Sequence, residues 1–185
     1  MSNKAVLIPI KDFESAKVRL STVLDSNARA DLAKELATLV VSACLETPVF
    51  IACEDDAVES WARDLGADIL RNPSEGLNEA VDFGFRSLSE RGFESVLITH
   101  GDLVYPSGLL SLFEMEEIVI VPDSELDGTN VLVLPTNIDF EFSYGPGSYT
   151  RHLKSATMLE AEVLVVADSP FSFDIDDPDD LHYVL

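Results

Sequence analysis

Pro48-Val-Phe-Ile-Ala-Cys-Glu-Asp-Asp-Ala-Val-Glu-Ser-Trp-Ala-Arg-Asp-Leu-Gly-Ala-Asp-Ile-Leu-Arg71 is the stretch on which the fold turns. Pro48 to Cys53 is an apolar run of strand length. Asp55 to Leu65 reads as a helix that Gly66 stops, and Ala67 to Arg71 as a further short strand. A helix between two strands returns the chain to its starting edge, so the strands run parallel. The same alternation extends outward. Lys4 to Ile10 is a buried apolar strand, followed by a long helix capped by Ser26 or Asn27. Leu32, Leu36, Leu39, Val40 and Ala43 fall on one face of that helix. Leu77 to Arg91 forms another helix, closed by Gly92, and Ser95–Thr99 and Glu117–Val121 are strands. Beyond Val121 come a Gly-containing turn, a strand (Val131 to Leu134), a Gly-rich loop with a helix (Ser148 to Ala161), and Val163 to Val166. The expectation is one α/β sandwich over residues 1–185, its mainly parallel sheet covered on both faces.

Twelve Lys and Arg against thirty-four Asp and Glu give a net charge of −22. That excludes a nucleic-acid binder, because a polyanion is repelled by most of such a surface. No apolar run reaches bilayer-spanning length and the first residues show no signal-peptide pattern. Cys44 and Cys53 sit in apolar stretches without CxxC spacing, the pattern of buried reduced thiols. A cytoplasmic protein without membrane or nucleic-acid partners is expected. Residues 1–34 carry six basic against four acidic side chains, leaving −24 on the rest. A small basic focus on an acidic body suits capture of a small anion, although a solvated helix with alternating charges gives the same pattern.

Ligands of open α/β sheets bind beyond the carboxyl ends of the strands. The residues to weigh are therefore Pro9 to Lys17, Glu54-Asp55, Pro73 to Asn78, His100-Gly-Asp102 and Asp123 to Asn130. Neither GxGxxG nor GxxxxGK[ST] occurs. Asp102 directly follows an apolar strand. In Phe173-Asp174-Ile175-Asp176 an extended backbone turns both carboxylates to one side. Carboxylates so placed repel unless a proton or cation lies between them. A lone Asp at 102 also reads as a helix cap or turn residue, but with this pair it would make a platform for Mg²⁺; Asp177, Asp179 and Asp180 read as a solvated tail with Asp177-Pro178 opening a last helix. Asp127-Gly-Thr-Asn130 and Tyr144-Gly-Pro-Gly-Ser148 are small-residue loops. The second leads into a helix whose first N–H groups favour an anion, with Arg151 and His152 one turn in.

Together these pieces resemble the 2-phospho-L-lactate guanylyltransferase family, whose product is an intermediate of the deazaflavin coenzyme F(420). The resemblance rests on Ile8-Pro-Ile-Lys11 with Ala16-Lys-Val-Arg-Leu20, Gly76-Leu-Asn-Glu-Ala80 and Gly101-Asp-Leu103. It continues through Pro122-Asp123 with Gly128-Thr-Asn130, Tyr144 to Ser148, and Phe173 to Asp176 with Pro178 to Leu181. It implies a three-layer Rossmann-like nucleotidyltransferase sandwich, related to the molybdenum-cofactor guanylyltransferases, and a homodimer. The implied activity moves GMP from GTP onto the phosphate of a small phosphorylated carboxylic acid and releases pyrophosphate. Asp102, Asp174 and Asp176 match the metal-binding aspartates, and Thr129, Gly145 and Ser148 the residues that grip the acid's carboxylate. Lys11, Lys17 and Arg19 match a basic signature near the nucleotide phosphates, and Gly76 and Asn78 a loop near the nucleoside. Lys17, Arg19 and Asp102 are the expected catalytic groups. His100 and Tyr105 flank Asp102 where the family commonly carries small residues or proline. The acid is thus left open among phospholactate, phosphoenolpyruvate and 3-phosphoglycerate.

A phosphate monoester is already anionic near neutral pH, so no side-chain base is required for in-line attack on the α-phosphorus. The obstacle is repulsion, at roughly 4 kcal/mol per unit-charge pair at ~4 Å and an effective dielectric of ~20. Two alternatives stand beside this reading. One is a nucleotidyltransferase of the same fold with a molybdopterin or sugar-phosphate acceptor, although the glycine-rich opening loop of those relatives is missing at Pro9-Ile-Lys11. The other is a non-catalytic nucleotide-binding domain.

Overall fold

A computed structural model describes residues 3–71, 76–115, 117–159 and 161–184. Strands β1 (Lys4–Pro9), β2 (Val49–Cys53), β3 (Asp68–Arg71), β4 (Ser95–Thr99), β5 (Ile118–Pro122), β6 (Thr129–Pro135) and β7 (Val163–Val165) form one seven-stranded sheet. Its order is β3-β2-β1-β4-β6-β5-β7. Six strands share a direction; β6, wedged between β4 and β5, runs against both. The mainly parallel, mixed sheet of the sequence reading is therefore present. A turn over 123–128 brings β6 back from the carboxyl end of β5, so Thr129 and Asn130 begin β6 at the edge where β4 ends.

Four helices, α1 (Ser26–Cys44), α2 (Asp56–Asp64), α3 (Leu77–Glu90) and α4 (Ser148–Met158), make the outer layers. Strand alternation divides the core. Val6, Ile8, Ile51, Leu97 and Val133 pack with Val40, Cys44 and Val58 on the α1/α2 face. Leu7, Phe50, Ile98 and Leu132 pack with Val81, Phe85 and Ala156 on the α3/α4 face. α3 lies close against β1 at Gly84, where a Cβ would lie 2.7 Å from Leu7 Cδ1. Cys44 and Cys53 are buried free thiols, and burial pushes them up to about 12 and about 11.

Three details differ from the sequence reading. The cap of α1 is Asp25, whose carboxylate accepts the Ala28 N–H at 2.9 Å, rather than Ser26 or Asn27. Leu39 lies outside the buried stripe, 52% exposed, and the small Ala33 and Ala37 are inside it. The α4 helix ends at Met158, three residues short of Ala161.

A satellite cluster sits apart from these two layers. Leu20, Leu36, Val104 and Ile175 pack together, with Leu24, Leu32, Phe173, Leu181 and Tyr183 around them. They fasten the carboxyl-terminal segment to α1 and to the 3-10 turn Val18–Thr22. Leu103 and Asp174 form an antiparallel bridge, and Val104 N–H donates to the Phe173 carbonyl at 2.9 Å. Ile175 is fully buried, so its neighbours Asp174 and Asp176 turn the other way. Ile175→Ala should therefore cost about 2–5 kcal/mol in denaturant-induced unfolding; a loss below ~1 kcal/mol would mean this cluster does not hold the segment.

Candidate functional site

Asp102, Asp174 and Asp176 each offer a carboxylate oxygen, and these oxygens all lie within 4.8 Å of one another. Asp102 arrives from the end of β4, the other two from the segment that Ile175 anchors. Lys17 closes the group. Its ammonium pairs with Asp102 and sits 3.2 Å from Asp176 Oδ1, with 7% of its side chain exposed. To reach them Lys17 adopts a left-handed backbone, φ 55° and ψ 40°, a strain of order 1–3 kcal/mol in a residue with a Cβ.

The charges respond in opposite directions. Burial alone would raise Asp102, but Lys17 and His100 outweigh it and hold the carboxyl below its ordinary value. Burial works against the Lys17 ammonium, yet Asp102 and Asp176 raise it. Asp174 is pushed up to about 7 by burial and by the charges of Asp102 and Asp176; Asn130 Nδ2, donating to its Oδ1 at 3.1 Å, offsets part of this. Arg19 is mostly exposed, 3.9 Å from Asp176 and 3.6 Å from Asp177. Such a surface pair contributes about 0–1 kcal/mol. Asp180, read as part of a solvated tail, instead accepts the N–H groups of Asp176 (2.9 Å) and Asp177 (2.7 Å). The last helix is only the 3-10 segment Pro178–Tyr183.

A second group forms around the start of β6. Val121 stands opposite Val131 and Pro122 opposite Thr129, so Asn130 is left over as a bulge. Asn130 then turns toward the α1/α2 face, where Nδ2 donates to the Phe171 carbonyl (3.2 Å) and to Asp174. Thr129 turns to the other face, with Oγ1 3.0 Å from His152 Nδ1 and 3.4 Å from Ser148 Oγ. Thr129, Ser148 and His152 are all buried.

The Gly-rich loop lies over them with its polar groups sorted. Arg151, a candidate anion contact in the sequence, spends its guanidinium on the carbonyls of Ser143 and Pro146, both at 2.7 Å. The N–H groups of Ser143, Tyr144 and Gly147 go to His152 Nε2, Asn78 Oδ1 and Asp127 Oδ2. Those of Ser148 and Tyr149 go to the carbonyls of Gly145 and Asp127. Gly145 holds φ at 107°, a value that favours glycine, and its N–H meets no acceptor among the described residues. Two neighbouring hydroxyls and one open amide are donors of the kind a carboxylate takes.

A cleft of about 590 Å³ opens at the ends of β1 and β2 beside the start of α3. Lys11, Cys53, Asp55 and Gly76 line it, and its size is within the ~300–1,000 Å³ of small-ligand sites. Asn78 does not line it. Its carboxamide instead pins the Gly-rich loop through Tyr144 N–H at 2.6 Å. The part of the Pro73–Asn78 loop before Gly76 lies outside the described residues.

Sequence reasoning placed the three aspartates, Lys17, Thr129, Gly145 and Ser148, and the structure brings these into two adjoining groups. Asn130 was in hand only as a motif letter, and His152 only as a residue near Ser148. Their signal was local: Ser148 and His152 are four apart on one helix and so share a face.

This sandwich, with carboxylates gathered beyond the ends of its central strands, defines a nucleotidyltransferase-type fold. A solved structure from Desulfovibrio desulfuricans G20, assigned as a nucleotide-diphospho-sugar transferase, matches it with TM-score 0.84 at 17% identity, over 100% of this chain and 87% of that one. The family model described as "Guanylyl transferase CofC like" matches residues 4–185, and the chain belongs to that family. It is 36% identical over 184 residues to a phosphoenolpyruvate guanylyltransferase of Rubrobacter xylanophilus, covering 95% of this chain and 90% of the relative. It is 26% identical over 182 residues to a 2-phospho-L-lactate guanylyltransferase of Methanocaldococcus vulcanius, covering 95% and 81%. No described helix is long and apolar enough to cross a membrane.

Asp174 gives the site a pH signature. Its carboxyl titrates at about 7 folded against an ordinary 3.8, so the folded state keeps a proton the unfolded chain has lost. Stability therefore falls as pH rises from about 4 to about 7. Asp174→Asn removes that penalty. With chelator present it should stabilise the protein by roughly 1–3 kcal/mol more at pH 8 than at pH 5. Thermal unfolding at the two pH values measures this; an effect no more favourable at pH 8 than at pH 5 contradicts it.

Proposed function

We propose that the protein transfers GMP from GTP onto the phosphate of a small phosphorylated carboxylic acid, releasing pyrophosphate, in coenzyme F(420) biosynthesis. The candidate acids are 2-phospho-L-lactate, phosphoenolpyruvate and 3-phosphoglycerate. The observation that carries the reading is the convergence of three aspartates within 4.8 Å, with the Thr129 and Ser148 hydroxyls at the neighbouring start of β6. The names of the two relatives above point to the first two of these acids.

The aspartates fit a hard divalent cation. Asp102 Oδ1 is buried and has no hydrogen-bond partner among the described residues, an orphaned anionic oxygen that an oxygen-seeking ion satisfies. Lys17 brings one positive charge to three carboxylates, which leaves room for two more. Asp102, Asp174 and Asp176 would hold Mg²⁺ here. Bound there, it would neutralise phosphate charge and favour phosphoryl chemistry.

The chain's own groups supply the rest. Lys17 holds Asp102 and Asp176 in place and offers its ammonium to the nucleotide phosphates, with Arg19 at the rim. The cleft bordered by Lys11 and Gly76 takes the nucleoside, and Asn78 serves it indirectly by fixing the loop. Thr129, Ser148 and the Gly145 amide receive the acid's carboxylate, which aims its phosphate toward the aspartates. An oxygen of that phosphate attacks the α-phosphorus of GTP. The new P–O bond forms as the bond to the β-phosphate breaks, and pyrophosphate leaves with the electron pair. The nucleophile is already an anion, so no side chain removes a proton. Orientation and charge compensation are the protein's contribution.

Incubation with GTP, Mg²⁺ and each acid in turn, with pyrophosphate measured, tests the reading. At least one acid should sustain turnover, and chelator should abolish it. Asp102→Asn should lower the rate by about 100-fold or more while the fold persists. Nucleotide binding with no pyrophosphate across the panel would favour the non-catalytic alternative, and undiminished turnover in Asp102→Asn would reject the aspartate platform.

A further inference from the structure

We propose that His152 is a positioning residue that fixes the Thr129 hydroxyl as a hydrogen-bond donor toward the acceptor's carboxylate. The inference rests on the reading of Thr129, Gly145 and Ser148 as the acceptor site. His152 is fully buried, packed against Phe140 (5.7 Å between ring centres) and Tyr144 (4.8 Å). Its Nε2 lies 3.0 Å from the Ser143 amide nitrogen. A backbone N–H can only donate, so Nε2 carries the lone pair. Arg151 keeps that amide in place by gripping the Ser143 carbonyl.

Burial and the nearby Arg151 and His100 push His152 down to about 4, so the ring is neutral around pH 7. A neutral imidazole has one N–H, which here must sit on Nδ1. Nδ1 is 3.0 Å from Thr129 Oγ1, and Thr129 is thereby made an acceptor toward the ring. Its own hydrogen must point elsewhere. Ser148 Oγ, at 3.4 Å, is beyond the usual O–H···O length of about 2.5–3.0 Å, and no other acceptor for that hydrogen is found among the described residues, which leaves it for the acceptor's carboxylate. A carboxylate only accepts. With the opposite tautomer Thr129 would donate to Nδ1 and turn its lone pairs on the incoming anion. One backbone amide, read through His152, thus sets the polarity of the pocket.

Two measurements test this. Long-range ¹H–¹⁵N correlation spectra of the three histidines, with His152 assigned by its loss in His152→Gln, should show the hydrogen on Nδ1. A hydrogen on Nε2 overturns the inference. In the pyrophosphate assay, His152→Asn keeps a donor near the Nδ1 position, whereas His152→Gln reaches only the Nε2 position. The Gln variant should raise KM for the acid by about 10–100-fold, the worth of a charge-assisted hydrogen bond, with KM for GTP unchanged. The Asn variant should recover most of that loss. Better rescue by Gln, or a parallel rise of both KM values, contradicts the positioning role. No turnover by the wild type with any acid would instead bring down the functional reading, and the inference with it. Wild-type turnover with the wrong tautomer overturns the inference alone.

Discussion

Mutual repulsion among Asp102, Asp174 and Asp176 is the constraint around which the chain is arranged. Three carboxylates within 4.8 Å would drift apart on a flexible surface. Here two of them flank the buried Ile175, and the third is tied to the same segment by the Leu103–Asp174 bridge. Lys17 accepts a left-handed backbone to put its ammonium between two of them. Strain of this kind, burial that raises Asp174, and an orphaned oxygen on Asp102 are all unfavourable in the isolated protein. They become intelligible once the site is understood to await more positive charge than Lys17 supplies.

The same constraint reaches the neighbouring pocket through one irregularity. The bulge at Asn130 sends consecutive side chains to opposite faces of the sheet. Asn130 steadies Asp174, while Thr129 joins Ser148 and His152. The spacing between the aspartate oxygens and the Thr129 and Ser148 hydroxyls is therefore set by the geometry of one strand start, more rigid than two separate loops would be. A net charge of −22 makes such local control necessary, because the bulk of the surface repels both reactants.

Much of this was legible in the chain. Alternating apolar runs and capped helices were enough for the parallel strands, because a strand buried on both faces has few other ways to be written. The reversed β6 was not legible, since an apolar run carries no sign of its direction. Leu39 misled because periodicity gives the width of a buried stripe, and neighbouring helices decide its edge. Among site residues, Asp174 and Asp176 announced themselves by flanking a buried isoleucine. The pairing of Asp176 with Lys17 spans most of the chain, and no local pattern records it. The roles of Asn130 and Asn78 depend on which way a bulge and a loop turn, which only the folded backbone decides.

Crystals grown with Mn²⁺ and a non-hydrolysable GTP analogue would give the most direct view of the central claim, through the anomalous signal of the metal. The account predicts a peak within ~2–2.5 Å of oxygens from the three aspartates, with Lys17 turned toward the phosphates. Nucleotide bound in the cleft with no peak among those oxygens would contradict it.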